Sequence, residues 1–292
     1  MLKQRILTAL FLLPLIVVLF FLTQLEYFAT AVAIIVYLVA LEWAKLAGIK
    51  SSVQGSFYAL AISVANIGLW FIGDDFLFWP SLSWPNTLVW DYPMIILMSG
   101  IVAVTVSVVI AMTYSSLPKW WANLPVRGLL GFALLPALFV ALVSIRKVDY
   151  LFDFYRGGAL VLFMFCMIWA ADTGAYITGK IFGKNKLAPV VSPNKTWEGV
   201  FGGLFLSVTI AWVGAYLLKL DINDPLAYSL VAFGLAVLSV LGDLFESAMK
   251  RVANIKDSGN LLPGHGGVLD RLDSTIAVAP FFFLSYSYFG WF

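Results

Sequence analysis

Long apolar runs separated by short polar segments extend along almost the whole chain. Each run is about as long as the ~20 residues that a helix needs to cross the hydrocarbon core of a bilayer. The predicted fold class is therefore all-α, a polytopic membrane protein with about nine transmembrane helices. The runs cover residues 6–22, 28–47, 57–73, 94–112, 127–145, 158–179, 200–219, 226–249 and 274–291.

The first run follows Lys3 and Arg5 and therefore resembles a signal peptide. No small-x-small cleavage site comes after it, so we interpret it as an uncleaved first helix. No linker or low-complexity segment divides the chain, which predicts one continuous membrane domain. Within it, residues 1–150 carry helices without a motif, and residues 151–292 carry helices with the candidate chemistry.

Composition supports lipid as the main solvent, because 62% of the 292 residues are hydrophobic and only 12% are charged. These values exclude a soluble enzyme, a disordered chain and a DNA-binding module. The net charge of +2 is too small for a nucleic-acid partner. A single cysteine excludes an internal disulfide and a zinc site built on several thiolates.

The basic residues orient the predicted helices, since Lys and Arg concentrate in cytoplasmic loops. With a cytoplasmic N-terminus, 14 of the 18 basic residues fall on the cytoplasmic side. Seven of the eight acids on that side follow residue 170, and Glu42 is the exception. The cytoplasmic face of the second half is therefore where we expect the chemistry.

Asp243, Glu246 and Lys250 are spaced to share one face of a helix. Carboxylates facing each other without thiols favour Mg²⁺ over zinc. The glycines at 264, 266 and 267 let backbone amides approach a phosphate. Together with nearby lysines and arginines, this pattern indicates the handling of a polyphosphate at the membrane surface. The alternative is that the acids only cap helices or pair with neighbouring lysines.

A second polar segment spans residues 185–199 and is also predicted to be cytoplasmic. Its prolines, with Ser192 or Thr196 as an N-cap, are typical of a turn that starts a helix. Asn194 and Lys195 next to a tryptophan equally fit a substrate-binding loop. Both interpretations remain open from the sequence.

Residues 170–275 resemble the phosphatidate cytidylyltransferase family, also called CDP-diacylglycerol synthase. The resemblance lies in three blocks: Asp172-Thr-Gly-Ala-Tyr176, Ser192-Pro-Asn-Lys-Thr-Trp-Glu-Gly199, and the stretch from Ser247 to Asp273 that contains Leu262-Pro-Gly-His-Gly-Gly267 and Asp270-Arg-Leu-Asp273. Asn194 departs from the family pattern, because many members have lysine there.

The resemblance implies that CTP and phosphatidate, held at a bilayer surface, are converted to CDP-diacylglycerol and pyrophosphate with Mg²⁺. It implies Asp243 and Asp270 as metal ligands, with Asp172, Glu246 and Asp273 supporting them or a second cation such as K⁺. Catalytic roles would fall to Asp243, Asp270, Lys250 and Arg271. Phosphate or substrate binding would fall to Ser192, Asn194, Lys195, Arg251, His265, Gly266 and Gly267. The implied location is a bacterial-type inner membrane, with the site facing the cytoplasm.

A secondary transporter with Asp172 and Asp243 as ion sites is the main alternative. It would place its polar residues near the bilayer midplane, whereas these charges gather at one face. A CDP-alcohol phosphotransferase would need an Asp-x-x-Asp-Gly run followed by Ala-Arg, which the sequence lacks. The sequence leaves open the basis of cytosine selection, the acyl-chain preference and the oligomeric state, a homodimer included.

Overall fold

The computed structural model describes residues 14–72, 91–114, 120–262, 264 and 266–292. Eight α-helices follow one another within these described ranges, and every predicted apolar run from residue 28 onward lies mostly within one of them. They are α1 (Leu25–Ala47), α2 (Ser52–Ile72), α3 (Tyr92–Thr113), α4 (Leu124–Lys147), α5 (Arg156–Phe182), α6 (Trp197–Leu217), α7 (Pro225–Ala253) and α8 (Leu269–Phe289). Residues 6–13 of the predicted first helix at 6–22 lie outside the described residues, and within the described part a π-helix covers Val18–Leu22.

Several helix ends follow directly from local side chains. Asp224 accepts hydrogen bonds from the backbone N–H groups of Leu226 and Ala227 at the start of α7. Pro225 opens the same helix, where its missing N–H costs nothing. At the end of α1, Gly48 has a φ of 99°, a left-handed conformation that favours glycine.

Six of the described helices, α1 and α3 to α7, are long and apolar enough to cross a membrane. The chain is therefore a multi-pass membrane protein, as predicted. The count of nine spans and the orientation of the N-terminus stay predictions.

Helices α5 and α6 pack closely because small residues line their contact. A Cβ atom on Gly174 would lie 2.7 Å from the carbonyl oxygen of Gly202. A Cβ atom on Gly203 would lie 2.5 Å from the carbonyl oxygen of Ala171. Such close backbone approach is typical of helix pairs in membranes.

A small antiparallel hairpin modifies the all-α expectation. Strand β1 (Lys186–Ala188) pairs with β2 (Ser192–Thr196), with Lys186 opposite Thr196. The hairpin occupies the predicted turn between α5 and α6. Its strands are only three and five residues long and one contains a proline, so alternation of polar and apolar residues did not reveal them.

Helices α1, α5 and α7 end, and α6 and α8 begin, at one end of the bundle, which we call the site end. The hairpin and the segment between α7 and α8 lie there as well. The topology therefore brings the two motif-bearing segments and the charged ends of α5 and α7 to the same place.

Candidate active site

Three carboxylates from two helices converge at the site end. Asp243 and Glu246 lie on α7, and Asp273 lies on the first turns of α8. One ligand oxygen from each lies within 4.8 Å of the other two, and we call these three residues the acidic cluster. Glu246 is buried, and its Oε1 atom has no hydrogen-bond partner among the described residues. The sequence spacing correctly paired Asp243 with Glu246 on one helix face.

Two lysines hold the cluster together. Nζ of Lys195 lies 2.7 Å from Oδ2 of Asp243, and the same Nζ donates to the carbonyl of Val240 at 3.4 Å. Nζ of Lys250 lies 2.5 Å from Oε2 of Glu246 and 3.0 Å from Oδ1 of Asp270. Since both lysines are at most partly exposed, these ion pairs are less screened by solvent than surface pairs.

Asp270 is fixed mainly by the segment that precedes α8. It accepts hydrogen bonds from the backbone N–H of Ser258 at 3.1 Å and of Gly267 at 2.8 Å. Lys250 then links it to Glu246. Asp270 thus lies beside the acidic cluster, joined to it through a shared lysine.

The hairpin brings the residues of the second motif to the cluster. Thr196 accepts a hydrogen bond from the N–H of Gly199 at 3.2 Å, so it is the N-cap of α6. This confirms the capping interpretation for Thr196. Glu198 accepts hydrogen bonds from the backbone N–H groups of Lys184 and Asn185 and thereby closes the base of the hairpin. Ser192 pairs with Ala188 within the hairpin.

A cavity of about 510 Å³ opens between α5, β2, α6 and α7. Its polar lining contains Asp172, Lys180, Asn194, Lys195 and Asp243. Asp172 interacts electrostatically with Asp243, Lys195 and Arg271. The cavity therefore combines cations and carboxylates in a space large enough for a small polar ligand.

A second, basic depression of about 350 Å³ lies at the end of α7. Its lining includes Lys250, Arg251 and Lys256. Nε of Arg251 donates to the carbonyl of Val191 at 3.1 Å, so this arginine also bridges α7 and the hairpin. Three cations in one depression suit a polyanion.

Two glycines in the segment between α7 and α8 adopt the left-handed backbone conformation that favours glycine. Gly264 and Gly266 have φ values of 75° and 81°. The N–H of Leu262 donates to the carbonyl of Gly266 at 3.0 Å. We call residues 258–262 with 266–267 the glycine loop. His265, a predicted phosphate-binding residue, lies outside the described residues.

The chain matches the Cytidylyltransferase family over residues 3–289, which is nearly its whole length. The chain belongs to this family. It is 35% identical to the phosphatidate cytidylyltransferase of Haemophilus influenzae, over 99% of both chains. It is 38% identical to the enzyme of the same name from Pseudomonas aeruginosa, over 97% of this chain and 96% of the relative. The Bacillus subtilis phosphatidate cytidylyltransferase is 40% identical over 63% of this chain.

In this cytidylyltransferase-family chain, the structure assembles nearly all of the described candidate residues at the site end. Asp172, Lys195, Asn194 and Asp243 share one cavity, while Lys250 and Arg251 line the neighbouring depression. Arg271 is exposed on the first turn of α8.

Sequence reasoning missed Glu42 and Ser258 as members of this assembly. Glu42 is buried on α1 and accepts hydrogen bonds from Oγ of Ser258 at 3.1 Å and from N–H of Leu269 at 2.8 Å. The only signal for Glu42 in the sequence is its place as the one acid predicted on the cytoplasmic side before residue 170.

Proposed function

We propose that the chain is a phosphatidate cytidylyltransferase, an integral-membrane enzyme of phospholipid biosynthesis. It converts CTP and phosphatidate to CDP-diacylglycerol and pyrophosphate, as the names of its near-full-length relatives suggest. The observation that carries the proposal is the acidic cluster with Lys195 and Lys250 at its rim, at one end of a bundle of apolar helices. This arrangement can neutralise several phosphates next to a bilayer.

In this reaction, a phosphate oxygen of phosphatidate attacks the α-phosphorus of CTP. The bond between the α-phosphorus and the oxygen leading to the β-phosphate breaks, and pyrophosphate leaves. Because the attacking phosphate is already ionised at pH 7, the site needs no strong general base. It needs charge neutralisation, since one anion must approach another.

The acidic cluster fits a hard divalent cation, and we propose Mg²⁺. Its donors are carboxylate oxygens from Asp243, Glu246 and Asp273, and hard cations prefer oxygen ligands. The buried, unpartnered Oε1 of Glu246 supports this, because a buried carboxylate oxygen is costly without a partner. A bound Mg²⁺ would stabilise the negative charge that develops on the phosphates.

Asp270 remains a proposed ligand as well. It lies beside the cluster, and Lys250 connects it to Glu246. A second cation, for which we propose K⁺, would then bind at Asp270, next to the Mg²⁺ in the acidic cluster. Asp172 lines the same cavity as Asp243 and interacts with it electrostatically, so we propose that it supports either ion.

We assign the phosphate groups to the basic residues of the two cavities. Lys195 and Asn194, in the cavity bounded by α5 and α6, are placed to hold the lipid phosphate. We assign the triphosphate of CTP to Lys250 and Arg251, together with Arg271. The N–H groups of Ser258 and Gly267 are already donated to Asp270, so the glycine loop shapes this site through its backbone conformation. The acyl chains of phosphatidate would remain in the bilayer.

We further propose that the site end faces the cytoplasm of a bacterial cell, at the inner membrane, where CTP is available. The predicted distribution of basic residues supports this orientation, since 14 of 18 fall on that side.

The proposal is tested with purified protein in detergent, Mg²⁺ and labelled nucleotides. We expect labelled CDP-diacylglycerol to form from CTP only when phosphatidate is present, with little product from ATP, GTP or UTP. Solute uptake into vesicles without nucleotide consumption would favour the transporter alternative and contradict the proposal.

A further inference from the structure

Glu42 is a buried acid from the half of the chain in which the sequence shows no motif. Its side chain is 1% exposed, and it projects from the last two turns of α1 toward the glycine loop. One carboxylate oxygen, Oε2, accepts from Oγ of Ser258 at 3.1 Å and from N–H of Leu269 at 2.8 Å. These partners lie 216 and 227 residues further along the chain.

The glycine loop is shaped around this carboxylate. A Cβ atom on Gly267 would lie 2.5 Å from Oε2 of Glu42 and 2.7 Å from the backbone N of Gly259. A Cβ atom on Gly259 would collide with Oε1 of Glu42. Both positions therefore exclude a side chain, at Gly259 because of the Glu42 carboxylate and at Gly267 because of that carboxylate together with Ser258 and the backbone of Gly259.

Glu42 and Asp270 hold the same loop from two sides. Ser258 donates its hydroxyl to Glu42 and its backbone N–H to Asp270 at 3.1 Å. Gly267 packs on Glu42 and donates its N–H to Asp270 at 2.8 Å. The loop is therefore clamped between a carboxylate of α1 and a carboxylate of α8.

Glu42 also fixes the start of α8. Leu269 is the first residue of that helix, and its N–H is one of the donors that no helix satisfies internally. A carboxylate at a helix N-terminus is further stabilised by the helix dipole. Asp270 and Asp273 follow within the next turn, so their positions depend on how this first residue is held.

We propose that Glu42 is a positioning residue for the nucleotide and metal site. It holds the glycine loop and the first turn of α8 so that Asp273 reaches Asp243 and Asp270 keeps its place beside Glu246. Its carboxylate contacts neither of the two proposed substrate cavities, so it acts through these partners. The expected effect of Glu42 on the KM and the Mg²⁺ requirement rests on the proposed function. Its role in holding the glycine loop and the start of α8 does not.

Two substitutions separate hydrogen bonding from charge. Glu42→Gln keeps an oxygen that can accept from Leu269 and Ser258, so we expect activity within about fivefold of wild type. Glu42→Ala removes the acceptor. We expect it to raise both the KM for CTP and the Mg²⁺ concentration for half-maximal activity by roughly 10- to 100-fold, the range for residues that orient metal ligands.

A matched control is Tyr228→Phe, which also removes buried hydrogen bonds between helices. The hydroxyl of Tyr228 donates to the carbonyl of Ala211 at 2.7 Å and accepts from the hydroxyl of Tyr286 at 3.1 Å. Tyr228 precedes Asp243 by 15 residues on α7, about 22 Å along the helix axis. A general loss of stability would lower the active fraction in both variants and leave both KM values unchanged.

Hydrogen exchange of the full-length protein in detergent tests positioning without any activity measurement. Glu42→Ala should speed amide exchange across residues 258–262 and 266–270, and Tyr228→Phe should not. If Glu42→Ala does not fold, Ser258→Ala, which removes one of the two donors, should raise the KM for CTP severalfold.

Unchanged exchange in this segment, or a wild-type KM and Mg²⁺ requirement in folded Glu42→Ala, would overturn the proposal. For the Ser258→Ala fallback, a wild-type KM with wild-type exchange would do the same. If the wild type makes no CDP-diacylglycerol, the proposed function fails, but the exchange result still decides the role of Glu42.

Discussion

The Nζ atom of Lys195 lies 2.7 Å from Oδ2 of Asp243. This ion pair connects the hairpin to the acidic cluster, because Lys195 comes from β2 and Asp243 from α7. A cation that binds Asp243 and a phosphate that binds Lys195 would therefore meet at one point. The pair makes the hairpin part of the site rather than a connection between helices.

Replacing Lys195 by methionine should lower activity by roughly 100-fold, the cost of losing one preorganised group that stabilises developing charge. The loss should appear in kcat and in the KM for phosphatidate, as measured by CDP-diacylglycerol formation. Lys184→Met is the control, since Lys184 is an exposed lysine at the base of the same hairpin. Equal effects of the two substitutions would contradict a specific role for Lys195.

Replacing Asp273 by asparagine should raise the Mg²⁺ concentration for half-maximal activity by more than roughly 10-fold. The reason is that the amide keeps the shape of the side chain but loses the negative charge that favours a hard cation. Asp221→Asn, a substitution of an exposed loop acid, should leave the Mg²⁺ titration unchanged. An unaltered titration in Asp273→Asn would remove this residue from the proposed metal site.

Replacing Gly267 by alanine should destabilise the protein by about 1–3 kcal/mol, because the added methyl overpacks the space next to Glu42. Its Cβ would lie 2.7 Å from the backbone N of Gly259. Gly234→Ala on α7 is the matched control, since a Cβ there meets nothing within 4 Å. Thermal unfolding in detergent compares the two, and an equal melting temperature for both variants would contradict the close packing at Gly267.

The helices were predictable because apolar runs of membrane length allow little other structure. The pairing of Asp243 with Glu246 was predictable because residues three apart share a helix face. The hairpin was not, since a few polar residues with prolines carry no strand periodicity.

The remaining features depend on tertiary packing. Whether Asp270 or Asp273 turns toward Asp243 depends on how α8 is rotated against α7, which spacing along one helix does not determine. Glu42 is separated from its partners by more than 200 residues, so no local pattern connects them.

The most direct test of the proposed active site is the rate of phosphatidate-dependent pyrophosphate release from CTP by wild type, Asp243→Asn and Asp221→Asn, each purified as folded protein. Asp243→Asn should lose more than roughly 100-fold in rate, since a proposed metal ligand and the partner of Lys195 are removed together. Asp221→Asn should match wild type. A near-wild-type rate in folded Asp243→Asn would contradict the placement of the active site at the acidic cluster.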